Sequence, residues 1–111
     1  MPFRLKRRAE QLARRSGYAA IVDGKQDALR HLIGSALFTQ SYGSVLAWLA
    51  GELSEFGAWI VRYNSRAQRD MDRHNNTIGR EIGRAAADEE EIVRLAQRAI
   101  DERRARWIVD R

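Results

Sequence analysis

After Pro2 the chain has no further proline as far as Arg111. Proline is the residue that most strongly stops a helix, so every later segment is free to be helical. Apolar residues recurring at three- and four-residue spacing fill that space, and the reading is an all-α chain, a compact four- to five-helix bundle. At 111 residues one core is the expectation. Apolar residues at 44% and charged residues at 32% suit a globular chain rather than a disordered one.

The periodicity predicts a first helix over 2–16, with Pro2 at its first position, Phe3, Leu5, Leu12 and Ala13 on one side, and Gly17 as its stop. A short apolar linker, 18–22, leads to the turn pair Asp23-Gly24. A second helix is predicted over 26–42, with Ala28, Leu29, Leu32, Ile33, Ala36 and Leu37 on one face. Gly43 and Ser44 break the chain before a third helix over about 45–63. There Val45, Trp48, Leu49, Leu53, Phe56, Trp59, Ile60 and Tyr63 mark the expected hydrophobic centre. The polar stretch 64–76 reads as a connector. Helices over about 77–87 and 89–109 complete the chain, with Gly79 and Gly83 leaving room for a neighbouring backbone. Asp88 and Glu89 to Glu91 suit the start of the last helix; Arg103, Arg104 and Arg106 suit its end, and Trp107 to Val109 are expected to dock it.

Charge divides the chain unevenly. Residues 1–16 carry six basic side chains against Glu10, a net +5, and the other residues carry 14 of each sign. The expected organisation is a basic N-terminal helical arm, 1–16, on a single helical domain, 17–111. Such an arm suits an anionic partner: nucleic acid, an envelope surface or an acidic protein surface. No helix-turn-helix spacing or aromatic-rich sheet points to nucleic-acid reading as such. Residues 44–61 are apolar enough to raise the question of a membrane span, but Glu52 and Glu55 lie in the middle, so none is expected. The basic start is followed by no apolar run, so no secretory signal is read there. The absence of cysteine excludes disulfides and thiolate metal sites and fits a reducing compartment.

Three groups of residues stand out chemically. Asp27 and His31, four apart, share a helix face. Glu52 falls inside the apolar arc of the third helix, where a carboxylate must find a partner or take up a proton. Asp72, His74, Asn75 and Asn76 gather donors, acceptors and a titratable ring in five residues. Each has a plain structural reading as well: an exposed ion pair, a carboxylate paired with Arg30 or Arg73, and a helix cap.

The series Asp27-x-x-Arg30-His31, then Glu52 and Glu55, then Met71-Asp72-x-His74-Asn75-Asn76-x-x-Gly79-Arg80 resembles an uncharacterised bacterial helical domain. That domain is found at the C-termini of Rhs-type polymorphic toxins and in phage-associated proteins, and the likeness covers about residues 27–84. It implies one polar site formed by Asp27, His31, Asp72, His74 and Asn75, hydrolytic in type, in a protein of the bacterial cytoplasm or of a phage particle. The chain departs from that pattern at Gly51-Glu52, where a His-Glu pair is expected, and near Gly34, where an aromatic is expected.

Two functions follow as expectations. In an enzyme-like domain His31 or His74 acts as general base, Asp27 or Asp72 orients it, and Glu52 is an acid or a ligand to one divalent metal ion. In a non-catalytic virion or assembly protein, acting as a homo-oligomer or within a larger assembly, the same residues form a hydrogen-bond network fixing three helices.

Overall fold

The structure is a computed structural model. It describes the backbone of residues 2–18, 24–62 and 66–108, and the side chains of these residues except 2, 3 and 54–62. Among the described residues five helices follow one another: α1 (Pro2–Arg15), α2 (Lys25–Tyr42), α3 (Ser44–Arg62), α4 (Arg66–Ala85) and α5 (Glu89–Asp101). No strand occurs among the described residues, and the all-α bundle expected from the sequence is what forms. No helix among them is long and apolar enough to cross a membrane.

α2 is the axis of the bundle, with α1, α3, α4 and α5 all packed on it. Its aliphatic stripe is fully enclosed: Leu29, Leu32 and Ile33 are among the largest completely buried side chains, together with Ile92 and Ile100 of α5. Burying a side chain of this size stabilises by about 1.5–3 kcal/mol. α1 belongs to the same core. Ala9, Leu12 and Ala13 are buried in it, and Ala9 meets α2 at Gly34. Arg8 then ties α1 to the first turn of α5, its Nε lying 3.1 Å from both oxygens of Glu89. α5 starts as its sequence indicates, with the Asp88 carboxylate capping the Glu91 N–H at 2.9 Å.

α2 and α4 approach most closely where α4 has no Cβ. A Cβ at Gly79 would lie 2.7 Å from the Leu32 carbonyl, and one at Gly83 would lie 2.7 Å from the Ala36 carbonyl. The two glycines thus let one backbone lie against the other, as their spacing suggested. Gln40 reaches across the same interface and donates to the Ala86 carbonyl at 2.7 Å, occupying an acceptor at the end of α4.

Three features depart from the sequence reading. The stretch expected to connect two helices is helical: α4 begins at Arg66. Its buried side, Met71, Asp72, Asn75, Asn76, Gly79, Ile82 and Gly83, keeps helical spacing throughout, with polar groups where apolar ones are usual. α3 is not the hydrophobic centre over its described side chains. Val45 is 77% exposed and Leu53 63%, with Leu46, Trp48 and Leu49 exposed as well; Ala47 faces inward instead. The expected core residues Phe56, Trp59, Ile60 and Tyr63 lie outside the described side chains, as does Glu55.

The last helix ends at Asp101 rather than near 109. Arg103 takes a left-handed conformation (φ 58°), the Arg103 N–H donates to the Ile100 carbonyl, and the Arg104 N–H donates to the Ala99 carbonyl. This is a Schellman ending with arginine at the position usually held by glycine. The following tail turns back over the bundle, where Trp107 packs against the core and Ile108 is half exposed. Val109 lies outside the described residues.

Candidate functional site

The α2–α4 interface holds a cluster of charged and polar side chains. Asp27 and His31 stand one turn apart on α2, and Asp72 comes from α4. The His31 Nε2 lies 3.3 Å from Asp72 Oδ1 and 3.7 Å from Asp27 Oδ1. Arg30 donates to Asp27 Oδ1 at 2.5 Å and brings the same nitrogen within 3.2 Å of the His31 Nε2. A guanidinium nitrogen can only donate, so its contact with Nε2 makes that nitrogen the unprotonated acceptor of a neutral ring. Asn76 supports the ring as a further hydrogen-bond partner, and its Oδ1 accepts from the Ser35 hydroxyl at 3.0 Å. Asp27, Asp72 and Asn76 are buried, while the His31 side chain keeps 19% of its surface.

Burial is the largest influence on His31 and lowers its pKa from the ordinary histidine value. Asp72 and Asp27 pull the other way, and the Arg30 guanidinium adds to the lowering. The ring is therefore biased toward its neutral form.

The remaining candidates lie elsewhere. His74 turns to the C-terminal tail and donates from Nε2 to the Arg104 carbonyl at 2.6 Å. Asn75, with no exposed surface, donates to the Arg106 carbonyl at 2.7 Å and accepts from the Arg106 N–H at 2.8 Å. Glu52 accepts from Arg73 Nε at 2.9 Å in a partly exposed pair between α3 and α4. The fold thus brings Asp27, His31, Asp72 and Asn76 together, and uses His74 and Asn75 to hold the tail. Glu52 owes its place in the apolar arc to that arc facing outward.

Two cluster members, Arg30 and Ser35, are absent from the candidates named from sequence. Arg30 stands within the Asp-x-x-Arg-His series itself, and Ser35 follows His31 by one helical turn. Gly51, where the resembled pattern has histidine, sits over Asn76: a Cβ there would lie 3.1 Å from Asn76 Nδ2. Among the described residues no three His, Asp or Glu side chains are arranged to hold a metal ion. In the cluster itself His31 and Asp72 contact one another and Arg30 supplies the cation.

Fold and site together define an all-α domain with a charged and polar seam between its two central helices. The chain belongs to a family described as a domain of unknown function (DUF6973), whose model matches residues 3–104. No curated protein and no solved structure matches it significantly.

Proposed function

We propose that the chain is a non-catalytic assembly or interaction domain of the toxin- or phage-associated kind its sequence resembles. The observation carrying this reading is that the described polar residues of the motif make contacts within the chain. His31 is held among Asp72, Asp27 and Asn76, His74 and Asn75 bind tail backbone, and Glu52 pairs with Arg73. Such contacts fix the relative position of α2, α4 and the tail. Two surfaces suit the role. Arg4, Lys6, Arg7, Arg14 and Arg15 are exposed on α1, which fits an anionic partner. The exposed apolar side chains of α3 fit burial against a second subunit or another component of a larger assembly.

A hydrolytic reading is second, favoured by one observation: His31 lies between carboxylates from two helices and keeps an exposed edge. There His31 would be the base and Asp72 its orienting partner. The two readings separate in variants of the intact protein. We expect His31→Asn and His74→Ala to lower the melting temperature, with no hydrolysis of nucleic acid or peptidoglycan by the parent protein. Sedimentation should show self-association or capture of an added anionic polymer, weakened by Leu53→Glu or by reversing α1 charges. Hydrolysis by the parent that disappears in a His31→Asn variant melting like the parent would overturn the assembly reading.

A further inference from the structure

The C-terminal tail and the start of α4 enclose an open groove with a cavity volume of about 430 Å³, distinct from the α2–α4 cluster. That is large enough for a small organic molecule. Ala67 and Met71 of α4 and Trp107 of the tail contribute apolar residues to its lining, and Arg103 and Arg106 line it as well. Asp70 is the acid among its described lining residues, and Arg66 already lies 3.8 Å from that carboxylate. Arg104, between the two lining arginines, pairs with Glu102 at 2.9 Å and does not line the groove. Positive charge is thus in excess where an apolar surface is also offered.

The backbone carries this arrangement. Arg103 occupies a left-handed position (φ 58°) that favours glycine, and that conformation turns the tail toward α4. Its guanidinium lies 5.7 Å from the centre of the Trp107 ring, and Lys25 Nζ lies 5.6 Å from it. The Arg106 backbone is fixed by both hydrogen bonds of Asn75, so its side chain projects from an anchored residue. Arg103 thus stands beside the cavity at a backbone position that costs a non-glycine residue some stability.

We propose that this groove binds a small organic anion with an apolar body, an aryl or acyl carboxylate in class. The carboxylate lies between Arg103 and Arg106, where guanidinium forks match its geometry, and the apolar body lies on Met71, Ala67 and Trp107. This binding is independent of the role assigned to the α2–α4 cluster.

The test is an NMR titration of the full chain with 2-naphthoate, with 2-naphthalenemethanol as the neutral analogue and inorganic phosphate as the anion without a body. The expected result is saturable shifts of the Arg103 and Arg106 amides and the Trp107 indole N–H with 2-naphthoate. Affinity should fall by about tenfold or more for the neutral analogue, as expected when charge-assisted hydrogen bonds are lost. Phosphate alone should not saturate the same amides. Arg103→Gly, which suits the left-handed backbone better, should keep or raise the melting temperature while weakening 2-naphthoate about tenfold. Arg106→Ala should do the same to binding, because Asn75 holds only its backbone. The proposal is overturned if the tail amides do not saturate, if shifts are confined to α3, or if Arg103→Gly binds as tightly as the parent.

Discussion

Asn75 treats Arg106 as a strand would, giving a hydrogen bond to its carbonyl and taking one from its N–H. One side chain of α4 therefore satisfies both backbone groups of a residue in an irregular tail. Since Asn75 has no exposed surface, neither bond is readily replaced by water if the tail stays in place.

Asn75→Ala should destabilise by about 1–3 kcal/mol, because it leaves the Arg106 N–H and carbonyl to find other partners. In a domain of this size that lowers the melting temperature by roughly 4 °C or more. Asn75→Asp keeps the acceptor but sets a carboxylate against a carbonyl, so it should also destabilise. His74→Ala, at a more exposed bond, should cost less than either. Calorimetry of the three variants checks the order, and a His74 loss larger than that at Asn75 would contradict it.

Gly79→Ala and Gly83→Ala should each lower stability by about 1–3 kcal/mol despite the better helix propensity of alanine. The new methyl meets the Leu32 or Ala36 backbone together with the Cβ of Ser35 or Thr39, none of which swings away by a rotamer change. Gly34→Ala is the control. Its Cβ would meet only Ala9 Cβ at 3.6 Å, an ordinary contact, so it should be neutral or stabilising by up to about 1 kcal/mol. Urea unfolding of the three proteins would decide, and equal effects at all three positions would refute the close α2–α4 approach.

His31 should make stability depend on pH below neutrality. Its folded pKa is lowered, so the unfolded chain binds the proton more readily. The contribution of the neutral ring is then present above the unfolded value near 6.5 and is lost as pH falls through that value toward the folded one. Unfolding free energy measured from pH 8 down to pH 5 should decline more steeply in the parent than in His31→Asn. Equal slopes would show that His31 does not carry the dependence.

Tyr18 gives the opposite sign at the alkaline end. Burial, together with its hydrogen bond to Asp101 (2.9 Å), pushes the phenol up from 10.0 to about 12. The folded state thus keeps a proton that the unfolded chain releases, and stability falls as pH rises through 10 toward 12. Ultraviolet titration should find a late-ionising tyrosine that disappears in Tyr18→Phe.

Much of this fold is visible in the sequence because apolar spacing and burial agree on α2: Leu29, Leu32, Ile33 and Ala36 follow the helical period and are all enclosed. They disagree on α3 and α4. Val45, Trp48 and Leu53 are apolar and face outward, whereas Asp72, Asn75 and Asn76 are polar and face inward, so hydrophobicity misplaces the centre and hides the first half of α4. The Asp27–His31 pairing is legible from its four-residue spacing. That Asp72 completes it while His74 leaves for the tail depends on 100° steps around a helix not expected there. The left-handed turn at Arg103 carries no compositional mark at all, because arginine is not the residue such a turn favours.

The central position of α2 has a cost in time. α2 ends at Tyr42, and the helix whose glycines close against it ends at Ala85. At roughly 5–20 residues per second, translation separates the two by a few seconds, during which Leu32 and Ile33 have emerged without α4 to lie against. In that interval the apolar stripe of α2 is open to chaperones and to premature association; α4 closes against it when Gly79 and Gly83 arrive, and α5 completes its cover afterwards.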